Sequence, residues 1–222
     1  MRNDIITVDG PSASGKSTVA KRVAAALRYT YADSGAVYRG VTWKAIREGV
    51  PPGRPADVVA LLRRMDLRFV ARDGVAVMQI DGIEPGAELR SEAVSERVSE
   101  VAAIPEVRAQ VTRHLREIAK FGPLVMDGRD IGSVVFPDAP FKFYIDASPE
   151  ERARRRHAEL LSADPRYDMG RVGDALKRRD AHDTGRAAAP LTIPPGAIVI
   201  DTTRMRVEEV VAHIVSRVRE SR

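Results

Sequence analysis

Residues 5–18 read IITVDGPSASGKST, and this stretch decides the fold. An apolar, β-prone run ends in Asp9 and passes straight into a turn rich in Gly and Ser. Residues 10–17 follow the phosphate-binding pattern G-x-x-x-x-G-K-[ST]. Glycine lets such a loop fold tightly, so that its N–H groups point inward at phosphate oxygens. The helix that follows presents its positive N-terminus to the same anion. Gly10, Pro11, Ser12, Ala13, Ser14, Gly15, Lys16, Ser17 and Thr18 are therefore the expected ATP-binding residues. Lys16 would reach the β- and γ-phosphates, and the Ser17 hydroxyl would join the shell of a Mg²⁺ ion. Thr18 is a weaker candidate, for the α-phosphate. The plain alternative is a chance Gly/Ser turn, but a strand before it and a helix after it are the context the pattern requires.

Outward from this loop, short apolar runs alternate with helical patterns, which argues for βαβ units and a parallel sheet. Residues 29–33, 124–127, 141–146 and 197–201 read as further strands. Helices are expected over about 16–27, 36–47, 105–120 and 207–218, with Gly122 placed to cap the third. The middle of the chain breaks this rhythm. Pro51-Pro52-Gly53-Arg54-Pro55 reads as a linker, followed by a helical piece over 57–65. Two β-prone runs then flank Asp73-Gly74, a strong hairpin signal. An inserted subdomain over 55–100 follows, with 1–54 and 101–222 forming the core. Ser148-Pro149-Glu150-Glu151 marks a helix start, with a capping serine, proline at the first position and glutamate at the third.

Composition narrows the function. Of 222 residues, 44% are hydrophobic and 30% charged, a globular balance. The absence of cysteine excludes disulfides, Cys-ligated zinc and thiol catalysis, and fits a reducing, cytoplasmic setting. No run approaches the roughly 18 apolar residues of a membrane span. A net charge of +5 suits nucleic acid or small polyanions such as ATP alike. Aromatics, at 5%, are scattered and offer no stacking platform for single strands. The chain has a single asparagine, Asn3, so the Asn-Lys-x-Asp guanine-reading segment of Ras-type GTPases is absent.

About 15 residues beyond the loop lies DSGAVYR (33–39), which resembles the acceptor segment of bacterial cytidylate kinases. GRDIGSVVFPDA (128–139), DASPEERARRR (146–156) and RRD…GRAAAPL (178–191) resemble the same family, in the same order. The likeness runs through almost the whole chain. It implies an α/β P-loop kinase fold with a five-stranded parallel sheet flanked by helices. An inserted acceptor-binding subdomain with antiparallel strands and a helical lid near 150–172 complete that fold. It also implies ATP with Mg²⁺ and CMP or dCMP as partners, no nucleic acid and no membrane, and a monomer.

Matched residue by residue, the resemblance puts Ser34, Tyr38 and Arg39 beside the acceptor, although Tyr38 could equally be a core aromatic. Ser99 and Arg108, in VSEVAAIPEVR, would close over the nucleoside. Asp127, Gly128, Arg129 and Asp130 match the family's DGRD motif. Asp127 could order metal-bound water, hold an arginine or anchor its own loop. Arg129 would meet the acceptor phosphate. Arg179, Asp183 and Arg186 match the run that binds sugar, phosphate and base, whereas His182 reads as an exposed helix-end residue. Arg152, Arg155 and Arg156 share one helical face by spacing. With Lys16 and Arg129 they form the expected catalytic set, unless they are a solvated basic face.

Overall fold

The computed structural model describes residues 4–161, 168–186 and 188–221. Strand β1 (Ile5–Asp9) lies in the interior of one sheet, followed by α1 (Lys16–Leu27), β2 (Thr30–Asp33) and α2 (Ser34–Arg47). Helix α3 (Pro55–Arg64), the hairpin β3 (Leu67–Arg72) and β4 (Val75–Ile80), and α4 (Glu92–Ala103) make up the middle of the chain. Then come α5 (Pro105–Glu117), β5 (Leu124–Gly128), β6 (Phe141–Asp146), α6 (Pro149–Leu161), α7 (Met169–Gly185), β7 (Ile198–Asp201) and α8 (Val207–Glu220). Strand order is β3-β4-β2-β5-β1-β6-β7.

Five neighbours, β2-β5-β1-β6-β7, are parallel as expected. The hairpin does not form a separate sheet: β4 joins the edge of β2 through Tyr31 and Val75, so the sheet has seven strands. Asp73 and Gly74 both have positive φ, the turn that a two-residue hairpin loop requires. Two apolar clusters cover the sheet. One joins α1 and α8 to β1 and β6 through residues such as Val19, Ile214, Val8 and Phe143. The other joins α2 to α5 and β5 with the hairpin and α4, through Val41, Leu115, Met126, Ile80 and Val101. The middle segment thus shares its core with the main sheet.

Local chemistry sets the helix ends. Asp33 caps α2 by accepting from Ala36 N at 3.0 Å, which starts that helix at Ser34, before the expected 36. Ser148 caps α6 by accepting from Glu151 N at 3.2 Å. The anticipated return contact from Glu151 is not made, because its carboxylate takes Arg154 and Arg155 at 2.7–2.8 Å. Helix α5 tightens into a 3₁₀ turn at Ile118–Phe121 before Gly122, at φ 106°, reverses the chain. Part of the expected lid, residues 162–167, lies outside the described residues.

Candidate active site

Each of β1, β2, β6 and β7 ends in an aspartate, and β5 ends in Asp127-Gly128. Ligands of open α/β sheets bind beyond these carboxyl ends, where the strand order reverses. The main cleft lies there, between β1, β2 and β5 and the helices α1, α2, α4 and α7.

The loop after β1 forms its floor. Gly10 leaves the strand so close to β6 that a Cβ would stand 2.0 Å from the Ile145 carbonyl oxygen. Gly15, at φ 89°, turns the chain into α1 and precedes the buried Lys16. Ser12, Ala13, Gly15, Lys16, Ser17 and Thr18 line the cleft, whereas Gly10, Pro11 and Ser14 shape the loop from behind. Lys16 Nζ donates to Pro11 O at 2.9 Å. Burial, reinforced by Arg129, pushes its amine down to about 7.

Ser17 Oγ donates to Asp127 Oδ2 at 2.6 Å, and Tyr31 Oη donates to Asp127 Oδ1 at 2.7 Å. Burial raises the Asp127 carboxyl above its usual range, with Asp33 adding to the rise and Lys16 opposing it. Arg39 pairs with Asp33 at 2.7 Å. Ser34 Oγ donates to Asp127 O at 2.8 Å, and a Cβ on Gly128 would fall 2.4 Å from that hydroxyl.

Across the cleft stands a second constellation. Asp130 pairs with Arg108, and its other oxygen faces Arg186 at 3.9 Å. The three side chains are 5–6% exposed, so neither charge has water to fall back on. Tyr38 lines the cleft and is 8% exposed, with the Arg108 guanidinium 5.3 Å above its ring, so pocket and core roles coincide. Ser99 lines the same wall.

Arg129 donates to Asp183 Oδ2 at 2.8 Å and to Gly10 O at 3.0 Å. These two partners join α7 to the phosphate loop. Arg129, with Arg179 and then Arg186, holds the Asp183 carboxyl below the carboxylate range against the burial that opposes it. Arg179 lines the cleft with its Nε buried and, among the described residues, without a hydrogen-bond partner. Burial and Arg129 push its guanidinium down to about 10. Crowded cations in a buried cleft call for anions.

The three α6 arginines expected to act together, Arg152, Arg155 and Arg156, separate. Arg156 lines the cleft beside Glu159. Arg152 and Arg155 do not; they hold the back of the phosphate loop, through Ser12 O at 3.3 Å and Ser14 O at 3.1 Å. Arg155 also bonds Thr202 O at 2.7 Å, and Arg152 pairs with Asp180. His182 is half-buried on α7 and lines no part of the cleft. Sequence reasoning missed Lys21, Asp33, Gly35, Arg90, Ser95 and Glu159 as lining residues. Asp33 carried a usable signal, an acid at a strand end before a helix. Lys21 carried another, one turn beyond Ser17. Arg90 has none, since its short 3₁₀ turn lies in the irregular middle of the chain.

A phosphate loop facing a second, arginine-lined pocket in one cleft makes this protein a P-loop kinase, built to bring two phosphate-bearing molecules together. Residues 6–220 match the cytidylate kinase family model. The chain belongs to that family.

Similar proteins named cytidylate kinase include one from Caldanaerobacter subterraneus subsp. tengcongensis, 45% identical over 97% of this chain and 95% of its own. One from Symbiobacterium thermophilum is 43% identical, over 99% and 98%. A third, from Pectobacterium atrosepticum, is 40% identical, over 97% and 96%. Among solved structures, an uncharacterised protein from Eubacterium ventriosum gives a TM-score of 0.52 at 12% identity, over 98% of this chain and 99% of its own. A Thermus thermophilus protein gives 0.51 at 18%, over 100% and 98%. At such identities the likeness concerns the fold alone.

Proposed function

We propose that this protein transfers the γ-phosphoryl group of ATP, bound with Mg²⁺, to the phosphate of CMP or dCMP, giving ADP and CDP or dCDP. Family membership supports the reaction. The observation that carries it is the buried trio Asp130, Arg108 and Arg186 in the same cleft as Lys16. Cytosine presents a donating 4-amino group beside an accepting N3. A carboxylate next to guanidinium groups offers the matching acceptor and donors.

In this reading residues 10–18 hold the triphosphate, with Lys16 on its outer phosphates. Arg39 and Arg129 offset the acceptor phosphate, and Arg156 reaches the group in transit. Arg152 and Arg155 steady the loop that binds ATP. Arg179 and Asp183 take the pentose, while Ser34, Ser99 and Tyr38 wall the nucleoside. The acceptor phosphate is already a nucleophile, so positioning and electrostatics carry the reaction without a general base. Residues 55–100 serve as the acceptor-binding part of a core formed by 1–54 and 101–222, and the segment near 150–172 serves as a lid.

The donor set fits Mg²⁺. Among the described residues no group of three or more His, Cys, Asp or Glu could hold a metal by itself. Mg²⁺ in such enzymes needs only one or two protein oxygens, with waters and phosphates completing its shell. The Ser17 hydroxyl with Asp127 behind it supplies these. Once bound, the ion neutralises charge on the β- and γ-phosphates. No helix among the described residues is long and apolar enough to cross a membrane, and a monomer in the cytoplasm completes the proposal. A coupled assay tests it: ADP release should depend on added CMP, and release indifferent to CMP would reject it.

A further inference from the structure

Asp9 closes β1, has no role in the scheme above, and is 0% exposed. Its two oxygens accept from successive backbone N–H groups of the neighbouring loop, Oδ1 from Ile131 at 2.7 Å and Oδ2 from Gly132 at 2.8 Å. These residues open a π-turn, Ile131–Val135, directly after Arg129 and Asp130. The next residue, Gly10, accepts from Arg129 Nη1 at 3.0 Å. Three hydrogen bonds therefore stitch residues 9–10 to residues 129–132. One segment leads into the triphosphate loop and the other presents the acceptor.

The junction has no slack. A Cβ on Gly132 would stand 2.7 Å from Thr7 Oγ1 and 3.2 Å from Asp9 Oδ2. Burial works against a charge here and pushes the Asp9 carboxyl up to about 7, with Asp130 adding to the rise and the two N–H groups and Lys16 opposing it. A core built for packing alone gains nothing from such a group. A carboxyl group accepts from both N–H groups, one with each oxygen. An amide of the same size meets one of them with a second donor.

We propose that Asp9 is a positioning residue for phosphoryl transfer: it sets the acceptor loop, with Arg129 and Asp130, at a fixed distance from the triphosphate loop. Asp9 acts through backbone and touches neither substrate. The inference rests on the acceptor assignment above.

The test compares Asp9→Asn and Gly132→Ala with the wild-type enzyme. Gly132→Ala strains the same junction from the opposite side. A misplacement of the acceptor loop by a fraction of an ångström predicts a kcat lower by about 10²-fold and a raised KM for CMP. The Kd for a non-hydrolysable ATP analogue, measured without acceptor, should stay within about twofold. A general loss of folding would move both ligands together. Equal weakening of ATP and CMP, or acceptor kinetics unchanged in both variants, overturns the proposal. Where Asp9→Asn fails to fold, the same readouts on Gly132→Ala decide: an acceptor-side loss supports it and wild-type kinetics overturns it. A wild-type enzyme that phosphorylates some other nucleotide would sink the CMP reading, and the ratio taken with that nucleotide would still judge Asp9.

Discussion

Asp130 sits between two buried guanidinium groups and faces the cleft. Uracil would set its accepting O4 against this carboxylate and its N3–H against the arginines. Sites built to pair with a particular donor reject an analogue lacking it by large factors. Asp130→Asn keeps the volume and avoids leaving two buried arginines against empty space. Its kcat/KM for CMP should fall about 10²-fold further than that for UMP, narrowing the preference between them. Equal losses for both would show that Asp130 only holds Arg108 and Arg186 in place.

Lys16 makes a second prediction at this scale. Burial and Arg129 hold its amine well below the ordinary lysine range in the free enzyme, which favours the neutral form as pH rises. A bound triphosphate favours the charged form. Binding ATP should therefore take up protons at this group, more at pH 8 than at pH 6. Calorimetry in buffers of different ionisation enthalpy reads the uptake directly. No uptake at pH 8 would show that Lys16 is already protonated in the free enzyme.

At the level of elements, the loop and helix that open the chain were legible because glycine, lysine and serine are demanded at fixed places. The hairpin was legible for the same kind of reason, since Asp73 and Gly74 tolerate positive φ. Helix α4 and the π-turn after Asp130 were not. The first packs on α2 through a few apolar positions, and its capping Ser91 was not read as a helix start. The second exists because Asp9, remote in sequence, accepts from its first two N–H groups.

Helix α6 shows the limit of spacing arguments. Residues 152, 155 and 156 do lie on one face, but the neighbouring loop takes two of them, and only Arg156 reaches the cleft. Arg155→Ala should raise the KM for ATP about tenfold, because Ser14 O and Thr202 O lose a charged donor worth roughly 1.5–3 kcal/mol. Arg156→Ala should instead lower kcat with a smaller effect on ATP affinity. Steady-state kinetics on both variants checks the division, and the reverse pattern would return Arg155 to the phosphates.

For the whole molecule, the parallel order was readable from alternating apolar runs and helices, and five strands stand as expected. The seven-stranded continuity was not, because a single pairing of Tyr31 with Val75 makes it, and no local pattern encodes an edge contact. That contact, with the shared apolar core, holds the middle segment against the sheet and lets Ser99 and Arg108 face the phosphate loop across one cleft. The phosphate loop and the arginines facing it line one cleft. One experiment tests directly whether this site joins ATP to a cytidine nucleotide. The purified protein should be mixed with ATP, Mg²⁺ and an equimolar pool of CMP, dCMP, UMP, AMP and GMP, and its early products identified by mass. CDP and dCDP should form ahead of every other diphosphate from the pool, with ADP released in matching amount. ATP hydrolysed without a cytidine diphosphate, or another nucleotide phosphorylated first, would contradict it.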